Sequence, residues 1–185
     1  MEAVKRSLYA SDKAAHPRYP LRKPNLEKDS TFKMMPISAK RFSKKKFFAS
    51  ELGVDIRVER SFKESIILQL PAYLPQFKRE IGMFDLPAPR LDDDILSQIG
   101  SEGIFTPDEA VAIFGSLIMK QPEGENGILA NATRKNLIYV RLENKDLVSV
   151  GIWFSRSGRE CWWYFFVDHL HEDSFKKRGS RIFVK

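Results

Sequence analysis

The spacing of apolar residues changes along the chain, from a helical period in the middle of the sequence to an alternating, strand-like period near the C-terminus. The clearest helix signal is Thr106-Pro107-Asp108-Glu109, which combines a threonine cap, a proline at the first helical position and a glutamate at the capping-box position. The apolar stripe that follows predicts a helix that runs to Lys120. Further apolar runs predict strands at 128–130, 136–142, 147–155, 160–169 and 181–184. We therefore expect a C-terminal antiparallel meander packed by this helix.

The residues before Gly53 predict a short strand and then a helix. Thr31-Phe32-Lys33-Met34-Met35 is followed by Pro36, which disfavours helical geometry in the residue before it. Ser38 is a candidate N-cap for a helix that ends at Gly53, because glycine tolerates a left-handed backbone. The apolar face of this helix consists of Phe42, Phe48, Ala49 and Leu52. Lysines lie off that face and are expected at the surface.

The segment from Val54 to Leu70 carries two periods. Its first residues alternate between apolar and charged side chains, as in a strand. Val58, Phe62, Ile66 and Leu70 instead recur at helical spacing. The length of the segment favours a second helix, which ends before Pro71.

These elements divide the chain into four segments. Residues 1–30 contain three prolines and no sustained period, which is typical of a basic flexible arm. Residues 31–75 form the strand-helix-helix region, and residues 76–105 are a connector with a short acidic helix over 91–99. Residues 106–185 hold the Thr106 helix and the sheet. The predicted fold class is α+β.

The net charge of +7 is distributed unevenly. Residues 1–63 carry 16 basic and 7 acidic side chains, residues 64–130 carry 4 and 11, and residues 131–185 carry 11 and 6. A basic block beside an acidic one allows contact with nucleic acid or an anionic membrane surface. It also allows attraction between segments of the same chain, so charge alone does not identify the partner.

Export and membrane signals are not apparent in the sequence. The first residues lack the long apolar region of a signal peptide, and no run of about 18 apolar residues predicts a membrane helix. The single cysteine, Cys161, has no partner for an internal disulfide. We therefore expect a cytoplasmic protein that does not contact a membrane.

The order of elements in residues 31–70 resembles the ribbon-helix-helix family of DNA-binding regulators. The matching residues are Thr31-Phe32-Lys33-Met34-Met35-Pro36, then Phe48-Ala49-Ser50-Glu51-Leu52-Gly53-Val54-Asp55, then Phe62, Ile66 and Leu70. The resemblance implies a homodimer in which two chains pair their strands into a ribbon that enters the major groove of double-stranded DNA. The residues expected to contact DNA are Thr31, Lys33, Lys40, Arg41, Lys44, Lys45, Lys46 and Arg57.

Two other interpretations of the same residues stay open. Ala49, Gly53 and Val54 have the spacing of a helix-turn-helix core, although Glu59 occupies a position where a recognition helix would carry an apolar residue. An ordinary helical hairpin with solvated lysines also fits the pattern. In either DNA-binding arrangement, the cations from Lys40 to Lys46 would contact the phosphate backbone rather than read bases.

The most hydrophobic stretch, residues 160–169, places aromatic side chains on both faces of a predicted strand. Trp162, Tyr164 and Phe166 share one face, and Trp163, Phe165 and Val167 share the other. This pattern is typical of a central strand that is covered on both sides. An exposed aromatic face would instead suit an oligomer, a protein partner or single-stranded nucleic acid, because several cations flank it. These cations are Arg156, Arg159, Lys176, Lys177 and Arg178.

Asp168, His169 and His171 form a candidate cluster for metal or acid–base chemistry, because histidines two residues apart on a strand point the same way. The only other histidine is His16 in the arm, so closed zinc ligation would need carboxylates. We predict no metal, no cofactor and no catalytic residue. Cys161 is expected to be a buried apolar residue.

Together these patterns predict a non-enzymatic DNA-binding protein, a dimeric regulator of transcription or of a mobile element. The alternative is a protein-interaction module that uses the aromatic C-terminal sheet. A small metal-dependent hydrolase is the third interpretation.

Overall fold

The structure, a computed structural model, describes residues 32–125, 127–131, 134–170 and 175–185. Its strands are β1 Lys33–Ala39, β2 Phe42–Ser43, β3 Ile56–Val58, β4 Tyr73–Leu74, β5 Phe77–Asp85, β6 Arg90–Leu91, β7 Asn136–Arg141, β8 Leu147–Ser157, β9 Glu160–His169, β10 Phe175–Lys176 and β11 Arg181–Val184. Its helices are α1 Lys44–Phe48, α2 Arg60–Ser65, α3 Asp92–Ile99 and α4 Pro107–Ile118. The fold class is α+β, with a large, mostly antiparallel sheet.

Seven strands form the main sheet in the order β1-β5-β11-β7-β8-β9-β3. Strands β7, β8 and β9 are an antiparallel meander, as the alternating pattern predicts. Two pairs are parallel, β11 with β7 and β3 with β9. Two short pairs, β2 with β4 and β6 with β10, lie outside the main sheet.

Side chains alternate between the two faces of the sheet, so each face has its own apolar core. The face that carries Ile138, Trp163 and Phe165 packs against α1, α2 and α4. We call it the α4 face. The opposite face carries Leu137, Tyr139 and Phe166 and packs against Ile95 of α3. We call it the α3 face.

Helix α4 begins as the sequence predicts, and its capping glutamate also joins other elements. The backbone N–H of Thr106 donates to Glu109 at 3.0 Å. Glu109 also pairs with Arg79 of β5 and with Lys185, each at 2.9 Å. Burial by itself would raise the pKa of Glu109, but these hydrogen bonds and the charge of Arg79 lower it below its usual value.

The helix expected between Ser38 and Gly53 is largely absent. Ser38 lies inside β1, where Ile37 and Ala39 are buried and Ser38 is exposed. This strand alternation continues past Pro36, which the edge strand of a sheet can accommodate. The residue that caps α1 is Ser43, whose hydroxyl accepts from the backbone N–H of Lys46 at 3.4 Å.

Residues 54–70 were expected to form one helix, but they form a strand and then a helix. Strand β3 adds to β9 in parallel, and α2 follows it. The two periods in the sequence therefore reflect two successive elements. The specific strand-helix-helix order implied by the family resemblance is not what residues 33–70 form.

The connector predicted over 76–105 contains β5, a strand that the sequence analysis did not predict. This strand lies between β1 and β11 and is paired on both sides. Its sequence, Phe-Lys-Arg-Glu-Ile-Gly-Met-Phe-Asp, interrupts alternation with consecutive charges. The predicted strand at 128–130 is a loop instead.

Candidate nucleic-acid interface

Four exposed cations form one surface, which we call the basic corner: Lys40, Arg41, Lys45 and Lys46. They lie in the turn after β1 and on α1. Salt bridges between described residues include none of the four, and the interval from Lys40 to Phe48 contains no acidic residue. Their positive charge is therefore available to an anionic ligand.

Two buried phenylalanines hold the basic corner in place. The Phe42 ring packs so closely on α4 that a Cβ added at Gly115 would come within 2.5 Å of it. Phe47 is 1% exposed, and its ring centroid is 6.0 Å from that of Phe165 on β9. These rings point inward, whereas Lys45 and Lys46 between them are exposed. The basic corner is thus anchored to the main core on both sides of Ser43.

An open cleft of about 580 Å³ lies beside the basic corner and is lined by Arg41, Phe42, Ser43, Lys46 and Tyr73. Tyr73 is 54% exposed. The guanidinium carbon of Arg41 lies 4.6 Å from the centroid of the Tyr73 ring. A phosphate can accept hydrogen bonds from Arg41, Lys46 and the Ser43 hydroxyl, and a base or sugar can pack against the exposed ring.

Lys44, a predicted DNA contact, has a structural role instead. Its ammonium group donates to the carbonyl oxygens of Leu70 at 2.6 Å and of Ile67 at 3.2 Å. These carbonyls belong to the end of a 3-10 turn, so Lys44 joins α1 to the segment that follows α2. Its charge is directed into the protein.

Three other predicted contacts do not join the basic corner. Lys33 is exposed at the first residue of β1, and the six steps to Ala39 place it about 20 Å away. Arg57 lies on β3, where it pairs with Glu160 at 3.3 Å and covers the Trp162 ring at 3.7 Å. Thr31 lies outside the described residues. Sequence reasoning thus identified Lys40, Arg41, Lys45 and Lys46 as a group and added residues that the fold separates.

Sequence reasoning missed Ser43 and Tyr73. Both enter the site because β2 pairs with β4, which sets Ser43 opposite Tyr73. Two-residue strands carry no detectable period. The one available signal was Tyr73 itself, an aromatic residue between Pro71 and Pro75.

A second surface lies on the α3 face, where β8 and β9 extend beyond α3. Trp153 and Tyr164 stack with a centroid distance of 5.2 Å and an interplanar angle of 20°. Trp162 lies beside them under Arg57. All three rings are half-buried, whereas Trp163 and Phe165 on the α4 face are fully buried. The prediction that aromatic residues occupy both faces of β9 is confirmed, and one face is only partly covered by the described residues.

The α3 face also contains a buried charge cluster, which we define as Asp92, Tyr139, Lys176 and Asp168. Lys176 is 4% exposed and lies 3.4 Å from Asp92 and 3.2 Å from Asp168. The Tyr139 hydroxyl donates to Asp92. Burial, together with the hydrogen bond and charge of Asp92, raises the pKa of Tyr139 far above its usual value. The hydroxyl therefore stays protonated and serves as a donor.

This cluster includes Asp168, one of the residues that the sequence suggested for metal binding. Asp92 belongs to the acidic start of α3, and Asp168 to the Asp168-His169-His171 set. His169 is exposed, and His171 lies outside the described residues. Across the described ranges, no three histidine, cysteine, aspartate or glutamate side chains are placed to bind a metal ion. Cys161 is a free thiol of intermediate exposure rather than a buried one.

Among the helices of the described residues, none is long and apolar enough to span a membrane. Comparison of the chain with protein-family models, with curated proteins and with solved structures finds no match.

Proposed function

We propose that this protein binds nucleic acid through the basic corner, with double-stranded DNA as the ligand. The observation that supports the proposal is the set of four exposed cations to which the described residues offer no carboxylate partner, next to a cleft with an exposed tyrosine. Lysine and arginine side chains bind phosphates regardless of the base sequence. Their binding releases counterions from the DNA, so the affinity depends on salt.

The presence or absence of a carboxylate partner distinguishes the basic corner from other cations of the protein. Arg57 and Lys176 contact carboxylates within the protein, so a phosphate would compete with existing partners. The cations of the basic corner have no such competitor among the described residues. Their side chains lose rotational freedom on binding but need not leave a carboxylate partner.

The homodimer and the regulatory role remain predictions. A ribbon between two chains requires a strand with an open edge, and β1 is an edge strand of the main sheet. We propose that β1 is where such a pairing would form, with Lys33 at the ribbon. Sedimentation velocity over a range of concentrations tests the dimer, and a monomer at every concentration would exclude it.

The DNA proposal is tested by fluorescence anisotropy on a random-sequence duplex of about 20 base pairs at several salt concentrations. The quadruple variant Lys40→Gln, Arg41→Gln, Lys45→Gln, Lys46→Gln removes the basic corner. If each cation neutralises one phosphate, the slope of log affinity against log salt falls by about 3 to 4. The affinity at low salt falls by at least about tenfold.

A matched control removes the same number of charges elsewhere. The variant Lys120→Gln, Lys145→Gln, Lys177→Gln, Arg178→Gln also loses three lysines and one arginine, and all four positions are exposed. It is expected to keep most of the affinity and the salt slope. Equal losses in the two variants would show that only net charge matters, and absence of binding at low salt would reject the proposal.

A further inference from the structure

Strand β8 is longer than its neighbour β7, which leaves part of one edge open. The register pairs Asn136, the first residue of β7, with Ile152. Residues 153–157 of β8 continue beside β9, where Ser157 lies opposite Glu160. On the other side of these residues, the described part of the chain provides no strand. Half of a central strand is therefore an edge.

Hydrogen bonds of β9 show which backbone groups face this edge. Trp163 donates to Asp55 at 3.0 Å, and Phe165 accepts from Glu59 at 2.9 Å, so both residues direct their backbone toward β3. The alternate residues Trp162 and Tyr164 then face β8, where they lie opposite Ser155 and Trp153. Because neighbouring residues in a strand point in opposite directions, Phe154 and Arg156 direct their N–H and C=O groups toward the open side.

These backbone groups face a cleft of about 700 Å³, within the size range of peptide and small-molecule sites. It is lined by Glu123, Gly124, Asn131, Trp153, Phe154, Ser155 and Arg156. No backbone hydrogen bond from a described residue reaches Phe154 or Arg156 on this side. Free strand edges attract extended polypeptide, which completes the missing ladder.

The wall opposite β8 is held in a fixed position by Gln121. The buried side chain of Gln121 donates to the Glu125 carbonyl at 2.8 Å and accepts from the Leu129 N–H at 2.9 Å. The indole N–H of Trp163 donates to the Gln121 carbonyl at 3.0 Å. Gly124 packs against Phe154 so closely that a Cβ there would come within 2.4 Å of the ring. The cleft is thus preorganised rather than formed by a pliable loop.

Side chains along the open edge define which peptide fits. Phe154 and Arg156 project on the same side of the strand, with the Arg156 guanidinium 5.9 Å from the Phe154 ring centroid. A strand added beside β8 would place an apolar residue opposite Phe154 and an acidic residue opposite Arg156, two positions away. Arg156 is exposed and forms no ion pair with the described carboxylates. Glu123, on the far wall, disfavours further acidic residues in the same segment.

We propose that the open edge of β8 binds an extended segment of another protein as an added antiparallel strand, with the pattern acidic-x-apolar. The segment would exchange backbone hydrogen bonds with Phe154 and Arg156. The order of residues follows from the antiparallel direction, which both existing neighbours of β8 adopt. This site is separate from the basic corner and does not depend on nucleic-acid binding.

The probe is the peptide acetyl-Thr-Thr-Glu-Thr-Val-Thr-amide, and its binding to the full chain is followed by amide NMR. At saturation we expect hydrogen exchange to slow at the amides of Phe154 and Arg156. The Ser155 amide already faces β9, so its exchange is the internal control. The same peptide N-methylated at Glu and Val lacks the two donors and is expected to bind about tenfold more weakly or worse.

Two substitutions of Arg156 distinguish the contribution of its backbone N–H to peptide affinity from that of its side chain. Arg156→Ala keeps the N–H group and removes the charge, whereas Arg156→Pro removes both. We expect a further severalfold loss of peptide affinity in Arg156→Pro relative to Arg156→Ala. Equal affinity of the N-methylated and parent peptides, or no protection of the two amides by the probe at millimolar concentration, would overturn the proposal. Protection that rises with protein concentration alone would assign the edge to a second copy of this chain and also overturn it.

Discussion

The basic corner and the buried charge cluster both contain lysines, but they use positive charge in opposite ways. In the cluster, Lys176 is 4% exposed and lies between two carboxylates on the α3 face. In the corner, Lys45 and Lys46 are exposed, and the described residues place no carboxylate within ion-pair distance. The first lysine stabilises the fold, whereas the other two are available for a ligand.

The difference shows why the number of cations in a sequence is a weak guide to function. Lys44, Lys45 and Lys46 are consecutive, yet Lys44 points inward to two carbonyl oxygens and its neighbours do not. What separates structural from available cations is the tertiary partner. Substitutions that remove single cations should therefore divide into two classes, with large effects on stability in one and effects on binding in the other.

The largest effect is expected for Lys176→Met, which removes a buried positive charge that two carboxylates contact. Breaking a buried ion pair from one side typically destabilises a protein by about 3–5 kcal/mol, because the remaining charge stays in a poorly solvated site. Asp92 is 1% exposed, so water cannot replace the lost partner. Urea unfolding at pH 7 would measure the change in the free energy of unfolding.

The matched control for that experiment is Lys45→Met in the basic corner, with an expected change within about 0.5 kcal/mol. The double variant Asp92→Asn, Lys176→Met should recover part of the loss, because position 92 then carries a neutral amide instead of a buried charge. If Lys176→Met and Lys45→Met were equally stable, the distinction between the two regions would be incorrect.

An intermediate effect is expected for Lys44→Met, because the Leu70 carbonyl would lose its Lys44 donor. The Ile67 carbonyl would keep the hydrogen bond from the backbone N–H of Leu70. A buried or half-buried carbonyl without a partner costs about 1–3 kcal/mol. The salt slope of DNA binding should stay unchanged, since this ammonium group points away from the surface. Lys46→Gln should show the reverse, with stability retained and the slope reduced by about 0.9. A reduced slope in Lys44→Met would contradict the assigned role.

Local signals in the sequence predicted several elements well. Thr106, Pro107 and Glu109 mark the start of α4, and the long apolar runs predicted β7, β8 and β9 because these strands are buried on one or both faces. In each case the pattern that forms the element is contained within the element. The predicted surface position of most lysines near α1 follows from the same reasoning.

Other features depend on neighbours that are distant in sequence. Strand β5 has consecutive charges that interrupt its alternation, and it forms because two partners, β1 and β11, supply its hydrogen bonds. Strand β3 ends at Val58, which also starts the helical spacing of the next segment. Its partner β9 lies more than a hundred positions away, so no local pattern indicates the pairing. The same limit applies to the site, since no local pattern brings Tyr73 to Arg41 or separates Lys44 from Lys45.

Lowering the pH is expected to change the free energy of unfolding less than these substitutions do. The change should depend on a paired charge, Glu109, and not on the unpaired cations of the basic corner. Glu109 is 21% exposed and contacts both Arg79 and Lys185. Because these contacts lower its pKa below 4.5, the folded protein binds a proton at Glu109 less readily than the unfolded chain does. The ionised carboxylate therefore stabilises the fold above about pH 4.5, and this contribution is lost as the pH falls through the lowered pKa.

The variant Glu109→Gln should be less stable than the original protein at pH 7, and its stability should fall less between pH 5 and pH 3. Urea midpoints measured across that range would show two curves that converge in acid, whereas parallel curves would mean that Glu109 does not carry the linkage. The effect is modest because the ion pairs are partly solvated. Lys45→Gln is the corresponding test in the basic corner, and it should follow the original curve at every pH, since no described carboxylate depends on that charge.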